Sequence, residues 1–288
     1  LMQNKSAVKL IECPRDAMQG WTHFIPTAKK IEYINALLKL GFDTIDFGSF
    51  VSPKAIPQLA DTADVIEKLE WESSASKLLA IVANKRGAET AVGYEAIHYL
   101  GFPFSVSETF QQKNTNSGIS ESLIRVSEIQ ELCVQHKKEM VVYISMGFGN
   151  PYGDAYDESI VFDWADQLAA MGIGIISLAD TVGLASPDQV KRMTSYLIKA
   201  LPGTEIGVHL HSTASNWQEK LDAAREAGCT RFDGALRGIG GCPMAGNELV
   251  GNMDTELMIP YFKKLNLLDG INEAALKIAS QMAAEIFV

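Results

Sequence analysis

Residues 8–19 read Val-Lys-Leu-Ile-Glu-Cys-Pro-Arg-Asp-Ala-Met-Gln, a mostly apolar run that stops at a proline and a charged pair. The run Val8 to Cys13 predicts a buried strand. An open doubly wound sheet that binds a dinucleotide would follow that strand with G-x-G-x-x-G, whose glycines bring the backbone against a pyrophosphate. Pro14-Arg15-Asp16 stands there instead, which makes the open sheet the runner-up. Similar runs recur at Thr44 to Phe47, Leu78 to Ala83, Ala96 to Leu100, Met140 to Ser145, Ile173 to Leu178, Ile206 to His211 and Arg231 to Leu236. Between them lie stretches with helical spacing: Ala28 to Leu40, Ser120 to His136, Asp157 to Met171, Asp188 to Ala200 and Asn216 to Ala227. Several stop at a glycine suited to a helix C-terminus, as at Leu40-Gly41, Met171-Gly172 and Ala227-Gly228. Apolar strands alternating with helices predict an α/β fold with a parallel sheet buried on both faces, closed as a (β/α)8 TIM barrel. Neither a linker nor a shift in composition divides the chain. The expectation is one domain over residues 1–288, with two closing helices from Asp254 onward.

With 47% hydrophobic and 21% charged residues, the 288-residue chain is not disordered. Its 25 Lys and Arg against 35 Asp and Glu give a net charge of -10, which argues against a nucleic-acid partner. No apolar run approaches the ~18 to 20 residues of a membrane span, and no basic region precedes an apolar one near the start. Four cysteines without short spacings exclude a disulfide framework or a zinc ribbon. The expected compartment is the reducing cytoplasm.

Catalytic groups of such barrels gather at the C-terminal ends of the strands. The polar residues fall there: Arg15 and Asp16 after strand one, Asp46 and Ser49 at strand two, Asn84 after strand three, Asp180 and Thr181 after strand six, His209 and His211 at strand seven. In Val208-His209-Leu210-His211, side chains two apart on a strand point the same way, so both imidazoles face the interior. Without a ligand, two buried imidazoles leave polar nitrogens to be satisfied, and a divalent cation is the simpler account. The oxygen donors on other strand ends are the Asp16 carboxylate and the Asn252 carboxamide. Two imidazoles with oxygen and no thiolate suit Mg2+, Mn2+, Co2+ or Zn2+, and the oxygen content leans towards Mg2+ or Mn2+. Arg15 places a permanent cation next to one ligand, where it can stabilise an enolate. The stretch Arg237-Gly238-Ile239-Gly240-Gly241-Cys242-Pro243 follows the last strand. Its glycines let backbone approach a ligand, and Cys242 in such a loop can donate or accept a proton.

At these residues the chain resembles the hydroxymethylglutaryl-CoA lyase family, a branch of the metal-dependent (β/α)8 lyases and synthases. The resemblance spans Val8 to Leu257. Its matching stretches are Pro14-Arg15-Asp16, Ser49-Phe50-Val51-Ser52-Pro53-Lys54 with Pro57-Gln58, Ser107-Glu108, Leu178-Ala179-Asp180-Thr181-Val182-Gly183, Val208-His209-Leu210-His211, and Gly238 to Pro243 with Gly251-Asn252. It implies retro-Claisen cleavage of 3-hydroxy-3-methylglutaryl-CoA to acetyl-CoA and acetoacetate. It also implies a divalent cation on Asp16, His209, His211 and Asn252, an enolate held by Arg15, and proton exchange at Cys242. Asp46 and Asp180 take further catalytic roles, while Gln19, Ser107, Lys113, Asn114, Thr181 and Arg237 take substrate contacts. A homodimer is implied at the family level.

Several positions depart from the family pattern. Asp46 replaces a glutamate, Ser212 an acid after H-x-H, Cys13 a glycine, Ala17-Met18 a Gly-Leu pair, and Arg237 a small residue. The alternatives are a lyase for another 3-hydroxyacyl-CoA, a synthase joining acetyl-CoA to a 2-oxo acid, and a silent acyl-CoA-binding barrel. Such synthases carry a Glu-Arg pair in the glycine loop, and a silent barrel would lack a ligand; neither is the case here. Because CoA is anionic and the chain acidic, binding requires a local cationic patch, for which Lys54, Lys85, Arg86, Lys113 and Arg237 are candidates.

Overall fold

A computed structural model describes residues 8–241 and 250–288. Ten strands follow in chain order: β1 (Lys9–Glu12), β2 (Thr44–Ser49), β3 (Lys77–Ile81), β4 (Ile97–Ser105), β5 (Glu139–Ser145), β6 (Ile175–Ala179), β7 (Glu205–His209), β8 (His211–Ser212), β9 (Arg231–Gly234) and β10 (Gly251–Asn252). All but β8 and β10 form a closed parallel barrel in that order. Closure comes from β9 pairing with β1, in register from Lys9 opposite Arg231 to Glu12 opposite Gly234. Leu79, Ile81, Tyr99, Val141, Tyr143 and Ile175 pack together on one face of the sheet, inside the barrel. The opposite faces of the strands are buried against the surrounding helices, so both faces are apolar as the sequence requires.

The helix Glu158–Ala170 is followed by Gly172 at φ +87°, and Trp217–Glu226 by Gly228 at φ +98°. These are left-handed conformations that favour glycine. The chain after Asp254 forms the helices Thr255–Lys264 and Glu273–Ile286, the latter lying on Thr27–Leu37. Among the described residues no helix is long and apolar enough to cross a membrane.

Three details differ from the sequence reading. The stretch Pro14–Gln19 is a short helix, which a proline at its first position permits. Strand four continues past Leu100 to Ser105, because β5 pairs with it as far as Ser145. Strand seven does not run unbroken to His211. The β7–β9 pairing covers only Gly207 and Val208, and β7 itself ends at His209. His211 and Ser212 leave the barrel and pair antiparallel with β10, His211 opposite Asn252.

Candidate active site

The helix Pro14–Gln19 opens directly from the end of β1 and brings Arg15 and Asp16 to the barrel mouth. Arg15 donates from Nε to both oxygens of Asp46, at 3.2 and 3.1 Å, and from Nη2 to Oδ2 at 2.6 Å. Its Nη1 donates to Asp16 Oδ1 at 3.1 Å and to Gln19 Oε1 at 2.7 Å. Burial disfavours the guanidinium charge, but Asp46 and Asp16 outweigh it and keep Arg15 protonated. Burial pushes the Asp46 carboxyl up while Arg15 opposes the shift. Asp16 is held well below the ordinary carboxylate range, because Arg15 and His209 outweigh its burial. Asp46, although a methylene shorter than glutamate, therefore still reaches the guanidinium.

Asp16, His209 and His211 each offer a ligand atom, all within 4.8 Å of one another. Ligands at ~2.1 Å about one small cation lie ~3 to 4 Å apart, so a modest adjustment would complete the set. His209 Nδ1 lies 3.0 Å from Asp233 Oδ2. A carboxylate only accepts, so Nδ1 carries a proton and donates it to Asp233, and Nε2, 3.7 Å from Asp16 Oδ2, is the nitrogen that a cation would take in place of its proton. Burial disfavours protonated His209, but Asp16 and Asp233 raise its pKa to about 10. Burial, reinforced by the His209 charge, lowers that of His211 to about 4.

Asn252 is the fourth candidate. Its Nδ2 donates to Asp16 Oδ2 at 2.7 Å and to the Ile239 carbonyl at 3.0 Å. The amide is thereby oriented, and its buried Oδ1 has no hydrogen-bond partner among the described residues. A buried acceptor without a donor, beside a carboxylate and two imidazoles, fits a cation ligand.

The sequence reading missed Asp233 and Lys220. Asp233 supports His209 from the neighbouring strand β9, so the absence of an acid at Ser212 does not leave that imidazole without a carboxylate. A charged residue inside an apolar strand, two after Arg231 on the same face, was the available signal. Lys220, buried on the helix Trp217–Glu226, donates to Asp180 Oδ2 at 2.7 Å and to the His211 carbonyl at 2.8 Å. Asp180 also accepts from the Ala185 amide, so it braces the backbone around the imidazoles.

The other expected residues separate by position. Thr181 Oγ1 accepts from the Met146 amide at 2.8 Å. Ser107 is buried, caps the helix Glu108–Thr115 and donates to Asp154 at 2.5 Å. Lys113 lies over the Tyr152 ring, 4.5 Å from its centroid, and is exposed along with Asn114 and Arg237. Lys54, Lys85 and Arg86 are exposed too. Asn84 caps the helix Lys85–Val92, and Ser49 accepts from the Val51 amide. Cys13, Cys133 and Cys229 are buried thiols. Cys242 lies outside the described residues.

Residues 7–283 match the family described as HMGL-like. The chain is 32% identical to hydroxymethylglutaryl-CoA lyase YngG of Bacillus subtilis, over 94% of its own length and 90% of that protein. It is 31% identical to the 3-hydroxy-3-isohexenylglutaryl-CoA/hydroxy-methylglutaryl-CoA lyase of Pseudomonas aeruginosa, over 95% of its own length and 91% of the other. An HMG-CoA lyase from Acinetobacter baumannii, solved with coenzyme A and 3-methylmalate, superposes with a TM-score of 0.91 at 32% identity, covering 100% of this chain and 93% of that one.

Proposed function

The chain belongs to the HMGL-like family, and on that premise we propose that it is a divalent-metal-dependent lyase that cleaves 3-hydroxy-3-methylglutaryl-CoA to acetyl-CoA and acetoacetate. The observation that carries the proposal is the convergence of Asp16, His209, His211 and the unpartnered Asn252 Oδ1 beside the Arg15 guanidinium. A cation held by these four, Mg2+ or Mn2+ by their oxygen content and Zn2+ or Co2+ as the softer options, would polarise the substrate's hydroxyl and carboxylate oxygens.

In the retro-Claisen step the C3 hydroxyl loses its proton, the C2–C3 bond breaks, and C3 becomes the ketone carbon of acetoacetate. The electron pair of the broken bond passes into a thioester enolate. Arg15 stabilises its oxygen, and Cys242 supplies a proton to its carbon. Asp46 and Gln19 act through Arg15, whose donors they hold. Asp180 acts through Lys220 and the His211 backbone. In this reading Lys113, Asn114 and Arg237, all exposed, take the CoA moiety, with Ser107 and Thr181 supporting the loops around it. The proposal takes a homodimer as the working form and the cytoplasm as the compartment.

The test is release of acetyl-CoA and acetoacetate from 3-hydroxy-3-methylglutaryl-CoA by EDTA-treated protein, before and after addition of Mg2+ or Mn2+. Release that returns with the metal is the expected outcome; none under any metal would move the activity to another acyl group. The Pseudomonas relative's name makes 3-hydroxy-3-isohexenylglutaryl-CoA the second substrate to assay.

A further inference from the structure

Glu12 ends β1 on the face turned away from the barrel interior, since the next residue, Cys13, brings its Sγ to 3.9 Å from Asp233 Oδ2 inside. Its carboxyl is fully buried and forms no ion pair among the described residues. The titratable groups that act on it through space are Asp254 and Glu256, neither of them a cation, and it acts in turn on the Tyr33 phenol. Both oxygens are nevertheless engaged. Oε1 accepts from the Leu236 amide at 2.7 Å, and Oε2 lies 2.6 Å from Thr255 Oγ1 in a second hydrogen bond.

Those two contacts bracket the candidate ligand Asn252. Ala235 N donates to the Met253 carbonyl at 3.0 Å, and Thr255 N donates to the Ala235 carbonyl at 3.1 Å. Gly234 allows this approach, because a Cβ there would lie 2.7 Å from the Met253 carbonyl and 2.9 Å from Thr255 Oγ1. Three residues beyond Leu236, the Ile239 carbonyl accepts from Asn252 Nδ2. Glu12 thus grips both sides of the frame that orients the Asn252 amide.

We propose that Glu12 is a positioning residue for Asn252: by holding Leu236 and Thr255 together, it keeps the carboxamide turned with Nδ2 on Asp16 and Oδ1 towards the cation. This rests on the metal-dependent reading above. Oε2 accepts from the Thr255 hydroxyl, and burial pushes the Glu12 carboxyl up to about 8, so a neutral side chain suits this pocket. Glutamine is neutral and keeps an oxygen for Leu236 N, and its N–H can bond the Thr255 hydroxyl, which rotates to accept.

The experiment is Mn2+ binding at pH 7 to EDTA-treated protein, followed by electron paramagnetic resonance, with thermal melts of each variant. Glu12→Gln should bind within about twofold of the native chain, while Glu12→Val and Thr255→Val should bind ~10-fold or more weakly, the scale on which support of a metal ligand acts. Should Glu12→Val not fold, Thr255→Val, which removes one hydroxyl, decides alone. Equal affinity in the folded Val variants overturns the positioning role and leaves the metal reading standing. A native chain with no saturable Mn2+ binding overturns both.

Discussion

The two ends of the barrel hold buried charge in opposite ways. At the N-terminal end of the strands Lys9 reaches Glu205 at 2.6 Å, and Arg231 lies 3.4 Å from Glu205 and 3.9 Å from Asp43 over the Tyr99 ring. The atoms left without partners there are donors, Arg231 Nε and Nη2. At the C-terminal mouth the carbonyl and carboxylate oxygens unpartnered among the described residues are Asn252 Oδ1 and Asp233 Oδ1, with the Tyr143 hydroxyl, which can donate or accept, edge-on to His209. Leftover donors call for water or an anion, whereas leftover acceptors beside two imidazoles call for a cation. Ion pairing alone does not separate the two ends, since both are rich in it. The unpaired guanidinium nitrogens at one end and the unpaired carbonyl and carboxylate oxygens at the other do.

The strongest way to break this contrast is at the mouth. His209→Ala is expected to lose saturable Mn2+ binding along with turnover. Cys242→Ala should keep the metal and lose ~10²- to 10⁴-fold in kcat, the usual scale of a missing proton donor. Calorimetric metal titration of both variants checks the division, and equal metal loss would abolish it.

A smaller effect sharpens the role of the second carboxylate. Asp233→Asn replaces an acceptor of the His209 Nδ1 proton with a group that can also donate, and so weakens control of the tautomer. Mn2+ affinity should fall ~10- to 100-fold with the fold intact. Native affinity in that variant would mean that the carboxylate does not govern the ligand.

The smallest effect belongs to the other end. Arg231→Met removes a fully buried cation whose partners are distant and whose remaining donors are unsatisfied, so the loss of stability should be only ~1 to 2 kcal/mol. A thermal melt should shift by a few degrees while Mn2+ affinity and kcat stay within twofold. A collapse of metal binding would show that the two ends are coupled through the interior.

Much of this molecule was legible in order along the chain. The apolar runs located all eight barrel strands, the glycines at 172 and 228 marked helix ends, and Arg15, Asp16, His209 and His211 arrived at one mouth. What failed to show was whatever depended on register across closure. The H-x-H stretch looked like one strand, but β9 pairs with β7 only through Gly207 and Val208, and His211 finds its partner at Asn252 instead. The local structural role of Ser107 did not show in the sequence either. Its hydroxyl is taken up by a helix cap and by Asp154, a residue 47 positions away.

The sequence by itself determined the alternation of strand and helix, the end of the barrel where chemistry would gather, and the residue types suited to a cation and an enolate. These follow from periodicity and side-chain chemistry, which act over a few residues. Only the tertiary structure decided that Asp233 supports His209, that Lys220 links Asp180 to the His211 backbone, and that Glu12 joins Leu236 to Thr255. It also decided which atom of the Asn252 amide was left for a ligand. Apart from the Lys220 bond to the His211 carbonyl, these hydrogen bonds join residues 24 to 243 positions apart; they depend on how the ring of strands closes, and no local pattern encodes that distance.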